Sequence, residues 1–239
     1  MPSSNSKLAT EVVADSVRSF RLDAPRAALV MVDMQYASAH RATGLGRWLD
    51  TLGVPPEQAA YRFDRCEQVA VPALRRLLAA FRERGSAVIH VRLGSSVPEC
   101  RDLAPGLQHV EHVIGNYVGT REYEGLDELA PVDGEPVVTK LTVSAFTSSN
   151  LDQLLRNLGL TQLVVCGVST SHCVDLTARD AADRGYEVVI AEDACVEDTP
   201  ELHEMSLKLF AQLFGRVASS ADVIDELESS IHGQGVPST

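Results

Sequence analysis

The feature that most constrains the fold is a repeated alternation between short, continuous apolar runs and segments with helical spacing. The first run, AALVMVDMQ at 27–35, is almost unbroken, as expected for a strand covered on both faces. Five similar runs follow, most of them separated by helical patterns: SAVIHVRL, PVVTK, TQLVVCGV, YEVVIAEDA and RVASS. Crossover helices join parallel strands, so the alternation predicts an α/β fold: a three-layer α/β/α arrangement with a mostly parallel, roughly six-stranded sheet.

The 239 residues fit one domain spanning 1–239, with an N-terminal extension at 1–24 and a flexible polar tail at 232–239. Two stretches, 36–64 and 94–135, carry many glycines and prolines and show no sustained period. We expect both to be long irregular loops, and long loops in compact domains often line functional sites.

Charge and composition exclude several classes of partner. The net charge is −12 and no cluster of Lys and Arg interrupts it, so we expect no nucleic-acid partner. No stretch approaches the roughly 20 apolar residues needed to cross a bilayer, and the N-terminus lacks a signal-like core. We therefore expect a cytoplasmic protein without a membrane partner, acting on a small molecule. Its five cysteines, without a CxxC pair, should be reduced thiols.

Three polar residues lie where ligands bind in open parallel sheets, at the carboxyl ends of strands. Asp33 ends the first strand, Lys140 ends PVVTK, and Cys173 opens the helix after TQLVVCGV. The first helical turn favours a thiolate, so we expect a lowered pKa and a nucleophilic Cys173. Cys166 and Cys195 lie in or beside strands, and we interpret both as packing residues.

The chemistry of this trio is complementary. Asp33 at the end of an apolar strand needs a partner, and the ammonium of Lys140 could hold both a carboxylate and a thiolate while one proton moves between them. Backbone N–H groups of 167–170, together with the amide of Cys173, could form an oxyanion pocket.

Three segments, in order, resemble the isochorismatase-like cysteine hydrolases. VVCGVSTSHCVDLTARDAADRGYEVVIAEDAC resembles the nucleophile segment, LVMVDMQ the first strand, and VVTKLTVSAFTSSNLDQLLRNLG the lysine segment. Together they span Ala27 to about Gly215. The resemblance implies a Rossmann-like fold, an Asp33, Lys140 and Cys173 triad, and a cis peptide between Val168 and Ser169. It also implies an oxyanion hole from the Ser169 and Cys173 amides.

The resemblance also bears on cofactors. Nicotinamidases of this family bind a divalent ion through an Asp-x-His pair and a later His, but the loop after Gln35 lacks that pair. Five of the seven histidines are scattered along the chain without a ligand pattern, namely His40, His90, His109, His112 and His203. We predict neither a metal nor another cofactor.

The resemblance favours hydrolysis of a C–N bond other than a peptide bond, in a small amide, a ureide or carbamoyl compound, or a lactam. Amide-cleaving relatives include N-carbamoylsarcosine amidase, biuret hydrolase, ureidoacrylate amidohydrolase, maleamate amidase and streptothricin hydrolase. Isochorismatases proper cleave a vinyl ether without a cysteine nucleophile. A nicotinamidase-like or vinyl-ether hydrolase, and a non-catalytic binding or redox-regulatory protein on the same fold, remain the alternatives.

Substrate specificity should reside in the loops. Members of this family commonly form dimers or tetramers, in which a neighbouring subunit sometimes completes the pocket, so we expect a homo-oligomer. The residues predicted to line the pocket are Gln35, Tyr36, Trp48, Asn116, Tyr117 and Phe146.

Overall fold

The computed structural model describes residues 19–231, so most of the predicted N-terminal extension and the whole C-terminal tail lie outside the described residues. Within this range the chain forms one six-stranded sheet in the order β3-β2-β1-β4-β5-β6, with every neighbouring pair parallel. The predicted α/β fold and its strand count are confirmed. The strands are β1 (Ala27–Val32), β2 (Ala87–Leu93), β3 (Val137–Lys140), β4 (Gln162–Val168), β5 (Glu187–Val196) and β6 (Arg216–Ala218).

Helices cover both faces of the sheet, and α3 packs against α8 while α6 packs against α7. Proline stands in the first turn of several of them, where its missing N–H costs nothing. The helices are α1 (Gly44–Thr51), α2 (Pro56–Arg65), α3 (Val71–Glu83), α4 (Pro105–Ile114), α5 (Leu151–Asn157), α6 (Asp175–Asp183), α7 (Pro200–Ala211) and α8 (Ser220–Ile231).

The two predicted loops are not structureless. Stretch 36–64 contains α1 and most of α2, and stretch 94–135 contains α4. These helices have only 8 to 10 residues, too few for a sustained helical period to stand out among the glycines and prolines. A π-helical segment, Cys66–Ala70, joins α2 to α3 without a break.

The core is built around the two central strands, β1 and β4, in which every residue is buried. A strand covered on both faces has no polar side to alternate with, which explains the unbroken apolar runs of the sequence. Among residues 19–231, no helix combines the length and apolarity needed to span a membrane.

The sheet order places a topological switch point between β1 and β4. From β1 the chain adds β2 and β3 on one side, then returns to place β4, β5 and β6 on the other. Such a switch opens a crevice at the carboxyl ends of the two central strands. Gly167, with φ 121°, permits the close approach there, because a Cβ atom at this position would overlap the carbonyl oxygen of Val32.

Candidate active site

Asp33, Lys140 and Cys173 converge at this crevice. A cavity opens above the Cys173 thiol, and we call these three residues the cavity floor. The Nζ atom of Lys140 lies 2.8 Å from Oδ2 of Asp33 and 3.3 Å from Sγ of Cys173. It also donates to the carbonyl oxygen of Thr142 over 3.1 Å. All three ammonium hydrogens therefore have an acceptor. The exposed fractions of Lys140, Asp33 and Cys173 are 0%, 3% and 9%.

Asp33 follows β1 in the left-handed backbone region, at φ 54°, which aspartate tolerates better than most residues. Its amide donates to the carbonyl of Val91 on β2, and its carbonyl accepts from the amide of Gln35 and the hydroxyl of Ser38. The backbone of Asp33 is thus fixed between two strands and a turn. No backbone amide or hydroxyl in residues 19–231 donates to its carboxylate oxygens.

The electrostatics of the thiol differ from the sequence prediction. Burial raises the pKa of Cys173 well above its ordinary value, and the Asp33 carboxylate adds to the rise while Lys140 opposes it. Cys173 lies in a π-helical segment, Thr170–Val174, that precedes α6. The predicted lowering by a helix N-terminus is therefore corrected, because desolvation outweighs the dipole here.

The lysine keeps its charge. Burial alone would lower the pKa of Lys140, but the neighbouring Asp33 carboxylate and Cys173 sulfur outweigh it, and the pKa is raised. At neutral pH the Cys173 thiol therefore keeps its proton and Lys140 keeps its positive charge. The Asp33 side chain lies next to this thiol, on the other side of the Lys140 ammonium contact.

Position, not acidity, distinguishes Cys173 from the other four cysteines. All five are free thiols, and burial also raises the pKa of Cys66, Cys100, Cys166 and Cys195, in the cases of Cys66 and Cys195 to about 12. None of these four lines the cavity that lies above Cys173. Cys166 and Cys195 lie in the main core, which agrees with their interpretation as packing residues.

A cavity of about 380 Å³ opens above the thiol, a size suited to a small molecule. Ser169 and Cys173 both line it, and the peptide bond between Val168 and Ser169 is cis. The lining residues are Asp33, Gln35, Ala37, Ser38, Leu45, Arg62, Leu93, Leu107, Val110, Glu111, Ile114, Asn116, Val143, Val168, Ser169, His172, Cys173 and Asp198.

One side of the cavity is formed by α4, whose inner face presents Leu107, Val110 and Ile114 together with Glu111. Their spacing is that of one helical stripe. Glu111 is 7% exposed, and burial raises its pKa to about 7, with a further contribution from Asp33. The hydrogen bond from Asn116 and the charge of Lys140 act in the opposite direction.

Another side is formed by Arg62 of α2, which is 5% exposed. Its Nη1 donates to the hydroxyl of Ser169 over 3.2 Å and to the carboxylate of Asp198 over 2.6 Å. Its Nε and Nη2 both donate to the carbonyl of Ser38. We call this arginine and the inner face of α4 the cavity wall.

Two of the six predicted pocket residues, Gln35 and Asn116, line the cavity, but their polar atoms face the protein. The Nε2 atom of Gln35 donates to the carbonyls of Leu93 and Tyr123, and its Oε1 accepts from the amide of Leu93. Asn116 donates from Nδ2 to the same Leu93 carbonyl and to Glu111. The side-chain amides of Gln35 and Asn116 therefore hold the carboxyl end of β2 in place.

The other four predicted pocket residues do not line the cavity, so the prediction is corrected for them. Tyr36 lies under the guanidinium of Arg121, 3.7 Å from ring centroid to Cζ. Trp48 packs edge-on against a histidine of α4, Tyr117 packs on a small secondary cluster, and Phe146 belongs to the main core. The aromatic character of a loop residue therefore does not tell whether its side chain packs against the protein or faces the cavity.

Several cavity residues escaped the sequence analysis. Glu111 could have been found, because it stands within an apolar helical stripe where a carboxyl group is out of place. His172 could also have been found, because it stands next to the predicted nucleophile in the sequence. Arg62 and Asp198 reach the site only through tertiary packing, and nothing in the local sequence identifies them.

The histidines are dispersed in the structure as in the sequence. His90 contacts a carboxylate oxygen of Glu135 at 2.9 Å, and His203 contacts the hydroxyl of Thr170 at 2.9 Å. Across the part of the chain that the structure describes, no group of three or more His, Cys, Asp or Glu side chains is arranged to hold a metal ion.

Sequence comparison places this geometry in a family. The Isochorismatase domain model matches residues 27–222. Ureidoacrylate amidohydrolase RutB of Azorhizobium caulinodans is 30% identical over 210 residues, covering 82% of this chain and 87% of that protein. A secreted isochorismatase effector of Verticillium dahliae is 33% identical over 158 residues, covering 64% and 76%.

Structural comparison agrees. A cysteine hydrolase from Pseudomonas syringae pv. phaseolicola superposes with a TM-score of 0.73 at 26% identity, covering 90% of this chain and 97% of that one. N-carbamoylsarcosine amidase from Thermoplasma acidophilum gives a TM-score of 0.60 at 25% identity, covering 82% and 96%. The chain therefore belongs to the isochorismatase family.

Proposed function

We propose that this protein is a cysteine-dependent amidohydrolase that cleaves a C–N bond, other than a peptide bond, in a small amide, a ureide or carbamoyl compound, or a lactam. The family membership and the amidohydrolases among its relatives support the reaction class. The proposed nucleophile is Cys173, the proposed base is Asp33, and Lys140 is the third catalytic group.

The observation that carries the proposal is the position of the Lys140 ammonium between two groups that exchange a proton. It contacts both Oδ2 of Asp33 and Sγ of Cys173 under a cavity of substrate size. A purely structural ion pair would not need a thiol as its third member. A nucleophile with an adjacent base and an orienting cation is the arrangement that nucleophilic catalysis requires.

The first half-reaction begins with proton transfer from Sγ of Cys173 to the carboxylate of Asp33. The raised pKa of the thiol makes this transfer necessary, and the Lys140 charge stabilises the thiolate that results. The thiolate then attacks the carbonyl carbon of the substrate. The oxygen of the tetrahedral intermediate would accept hydrogen bonds from the backbone amides of Ser169 and Cys173.

Collapse of this intermediate breaks the C–N bond. The leaving nitrogen takes the proton from Asp33, and the acyl group remains as a thioester on Cys173. Ammonia or an amine departs, except that with a lactam the new amine stays attached to the acyl group. In the second half-reaction Asp33 accepts a proton from water as the water attacks the thioester. The carboxylic or carbamic acid leaves, and the proton returns to Sγ, which restores the starting state.

The test is turnover of a substrate panel by wild type and Cys173→Ala in the presence of a chelator. The panel holds primary amides, carbamoyl compounds, ureides, lactams and nicotinamide, and the readout is ammonia together with the new acid by mass spectrometry. We expect wild type to hydrolyse at least one compound and Cys173→Ala to be slower by about 10³-fold or more.

The matched control is Cys195→Ala, which makes the same chemical change at a fully buried thiol outside the cavity. It should keep wild-type turnover. Equal turnover by wild type and Cys173→Ala would contradict the proposed nucleophile. No reaction of folded wild type across the whole panel would contradict the proposed substrate classes and favour a binding role.

A further inference from the structure

Among the charged side chains that line the cavity, Glu111 has neither a role in the proposed mechanism nor an ion-pair partner within residues 19–231. It lies on the inner face of α4, within the apolar stripe formed by Leu107, Val110 and Ile114. A carboxyl group that is more than nine-tenths buried among apolar side chains loses hydration, and a folded protein rarely keeps one without a partner or a role.

The hydrogen bonds of Glu111 leave one of its oxygens unused. Oε2 accepts a hydrogen bond of 2.7 Å from Nδ2 of Asn116, whereas no donor within residues 19–231 reaches Oε1. Oε1 is also not among the fully enclosed unsatisfied atoms of the protein. Since Glu111 lines the cavity, this oxygen is the acceptor that the α4 side of the wall offers to a ligand.

The other polar groups on this side are already committed. Both amide hydrogens of Asn116 are donated, one to Glu111 and one to the carbonyl of Leu93. The side-chain amide nitrogen of Gln35 donates its hydrogens to the carbonyls of Leu93 and Tyr123. Neither side chain has a free N–H group, so recognition on this side depends on the carboxyl group.

Charge pairing leads to the same residue. Asp33 is paired with Lys140, and Asp198 is paired with Arg62, so these four charges balance. Within the described part of the chain, no Lys, Arg or His forms an ion pair with Glu111. When Glu111 is ionised, it therefore gives the cavity a net negative charge above the thiol, and a bound carboxylate would face repulsion there.

We propose that Glu111 is a specificity-determining residue that selects substrates presenting a protonated amine or amide-type N–H groups toward α4, and that disfavours substrates carrying a carboxylate there. This inference refines the substrate class of the proposed hydrolase and rests on that function only for its kinetic consequences. The ligand preference itself is a property of the cavity and can be measured without turnover.

The test uses Cys173 as a reporter of cavity charge. Three methanethiosulfonate reagents bear a cationic trimethylammonioethyl, an anionic sulfonatoethyl or a neutral methyl group, and each converts the thiolate into a mixed disulfide with release of methanesulfinate. Rates at Cys173 are followed by intact mass at pH 8 and normalised to the neutral reagent, which removes differences in intrinsic thiol reactivity.

We expect wild type to react faster with the cationic than with the anionic reagent, and Glu111→Gln to lower that rate ratio about tenfold. Glu204→Gln removes the same charge from an exposed position on α7 and should leave the ratio unchanged. Glu111→Met, which also removes the charge and extends the apolar stripe, provides a second variant if Glu111→Gln does not fold. An unchanged ratio in a folded Glu111 variant overturns the inference.

Turnover separates this inference from the proposed function. If the rate ratio shifts as expected but no amide in the panel is hydrolysed, the hydrolase proposal fails and the cavity preference stands. If a carboxylate-bearing amide proves the best substrate, and Glu111→Gln does not change its kcat/KM relative to an amine-bearing amide of equal length, the specificity role fails and the hydrolase stands.

Discussion

The cavity floor and the cavity wall are built in different ways. Of the floor residues, Asp33 follows β1, Lys140 is the last residue of β3, and Cys173 lies in the Thr170–Val174 segment after β4. The register of the parallel strands therefore fixes Asp33 and Lys140, and the end of β4 sets where the Cys173 segment begins. The wall residues Glu111 and Arg62 stand on short helices in the irregular stretches. The edge of a parallel sheet holds side chains in a fixed position, whereas helices in the loops above it can differ between proteins that bind different substrates.

Among the changes that would test this difference between the cavity floor and the cavity wall, we expect the largest effect from removing the Lys140 ammonium. Lys140→Met leaves the buried Asp33 carboxylate without a partner, so we expect a loss of about 3 to 5 kcal/mol in the free energy of unfolding. Activity should fall by about 10³-fold, as for loss of a catalytic group. Urea denaturation and steady-state kinetics measure the two effects.

The double variant Asp33→Asn/Lys140→Met is the control, because it removes the orphaned charge together with its partner. It should regain most of the lost stability and none of the activity. If the double variant is as unstable as Lys140→Met, the ion pair is not the source of the loss, and the electrostatic description of the floor is wrong.

The wall should show its largest effect as a dependence of stability on pH. The pKa of Glu111 is about 7 in the folded protein against an ordinary value of 4.5, so the folded state binds the extra proton. Its contribution to stability is therefore lost as pH rises from about 4.5 through 7. Glu111→Gln lacks this loss, and its stability relative to wild type should rise by about 2 to 3 kcal/mol between pH 5 and pH 8.

Chemical denaturation at the two pH values measures that difference. Glu204→Gln, on the exposed face of α7, is the matched control and should give the same difference from wild type at both. A pH-independent difference for Glu111→Gln would mean that this carboxyl group ionises in the folded state as readily as in water, and the wall would then carry a fixed negative charge.

Arg62 should have an intermediate effect. Arg62→Met removes hydrogen bonds to the Ser38 carbonyl and the Ser169 hydroxyl, so we expect a loss of about 1 to 3 kcal/mol in stability. Because Ser169 adjoins the proposed oxyanion site, kcat should fall more than KM rises. Arg62→Lys keeps the charge but not the fork of donors, and it should restore little. Full rescue by lysine would reduce the role of Arg62 to charge alone.

The smallest effect is expected outside the wall. Trp48 packs edge-on against His109 and does not line the cavity, so Trp48→Phe should leave kcat/KM within about twofold of wild type. A larger change in kcat/KM, with stability unchanged, would place this aromatic residue in contact with substrate and extend the wall beyond α2 and α4.

The same contrast explains what could be predicted from sequence. Apolar runs such as 27–32 and 162–168 are long enough to identify buried parallel strands, and the strand ends then give the positions of Asp33 and Lys140. The helices of the wall were missed because they are short. Glu111 could have been found only by recognising the spacing of Leu107, Val110 and Ile114 around it as the stripe of a short helix.

The direction of the Cys173 pKa shift was also beyond the sequence. The predicted lowering followed from the position of the residue at the start of a helix, which is a local property. The observed rise follows from desolvation and from the Asp33 carboxylate, which depend on packing. The pairing of Arg62 with Asp198, far apart in the chain, was hidden for the same reason.

The most direct test of the central claim is the loss of turnover as a function of Cys173 labelling by iodoacetamide, with all five cysteines mapped by peptide mass spectrometry. Cys173 lines the open cavity beside Asp33, the proposed base, so it should be labelled first, and the fraction of activity lost should equal the fraction of Cys173 modified. Turnover that persists at full modification of Cys173, or equal labelling of all five thiols, would contradict the account.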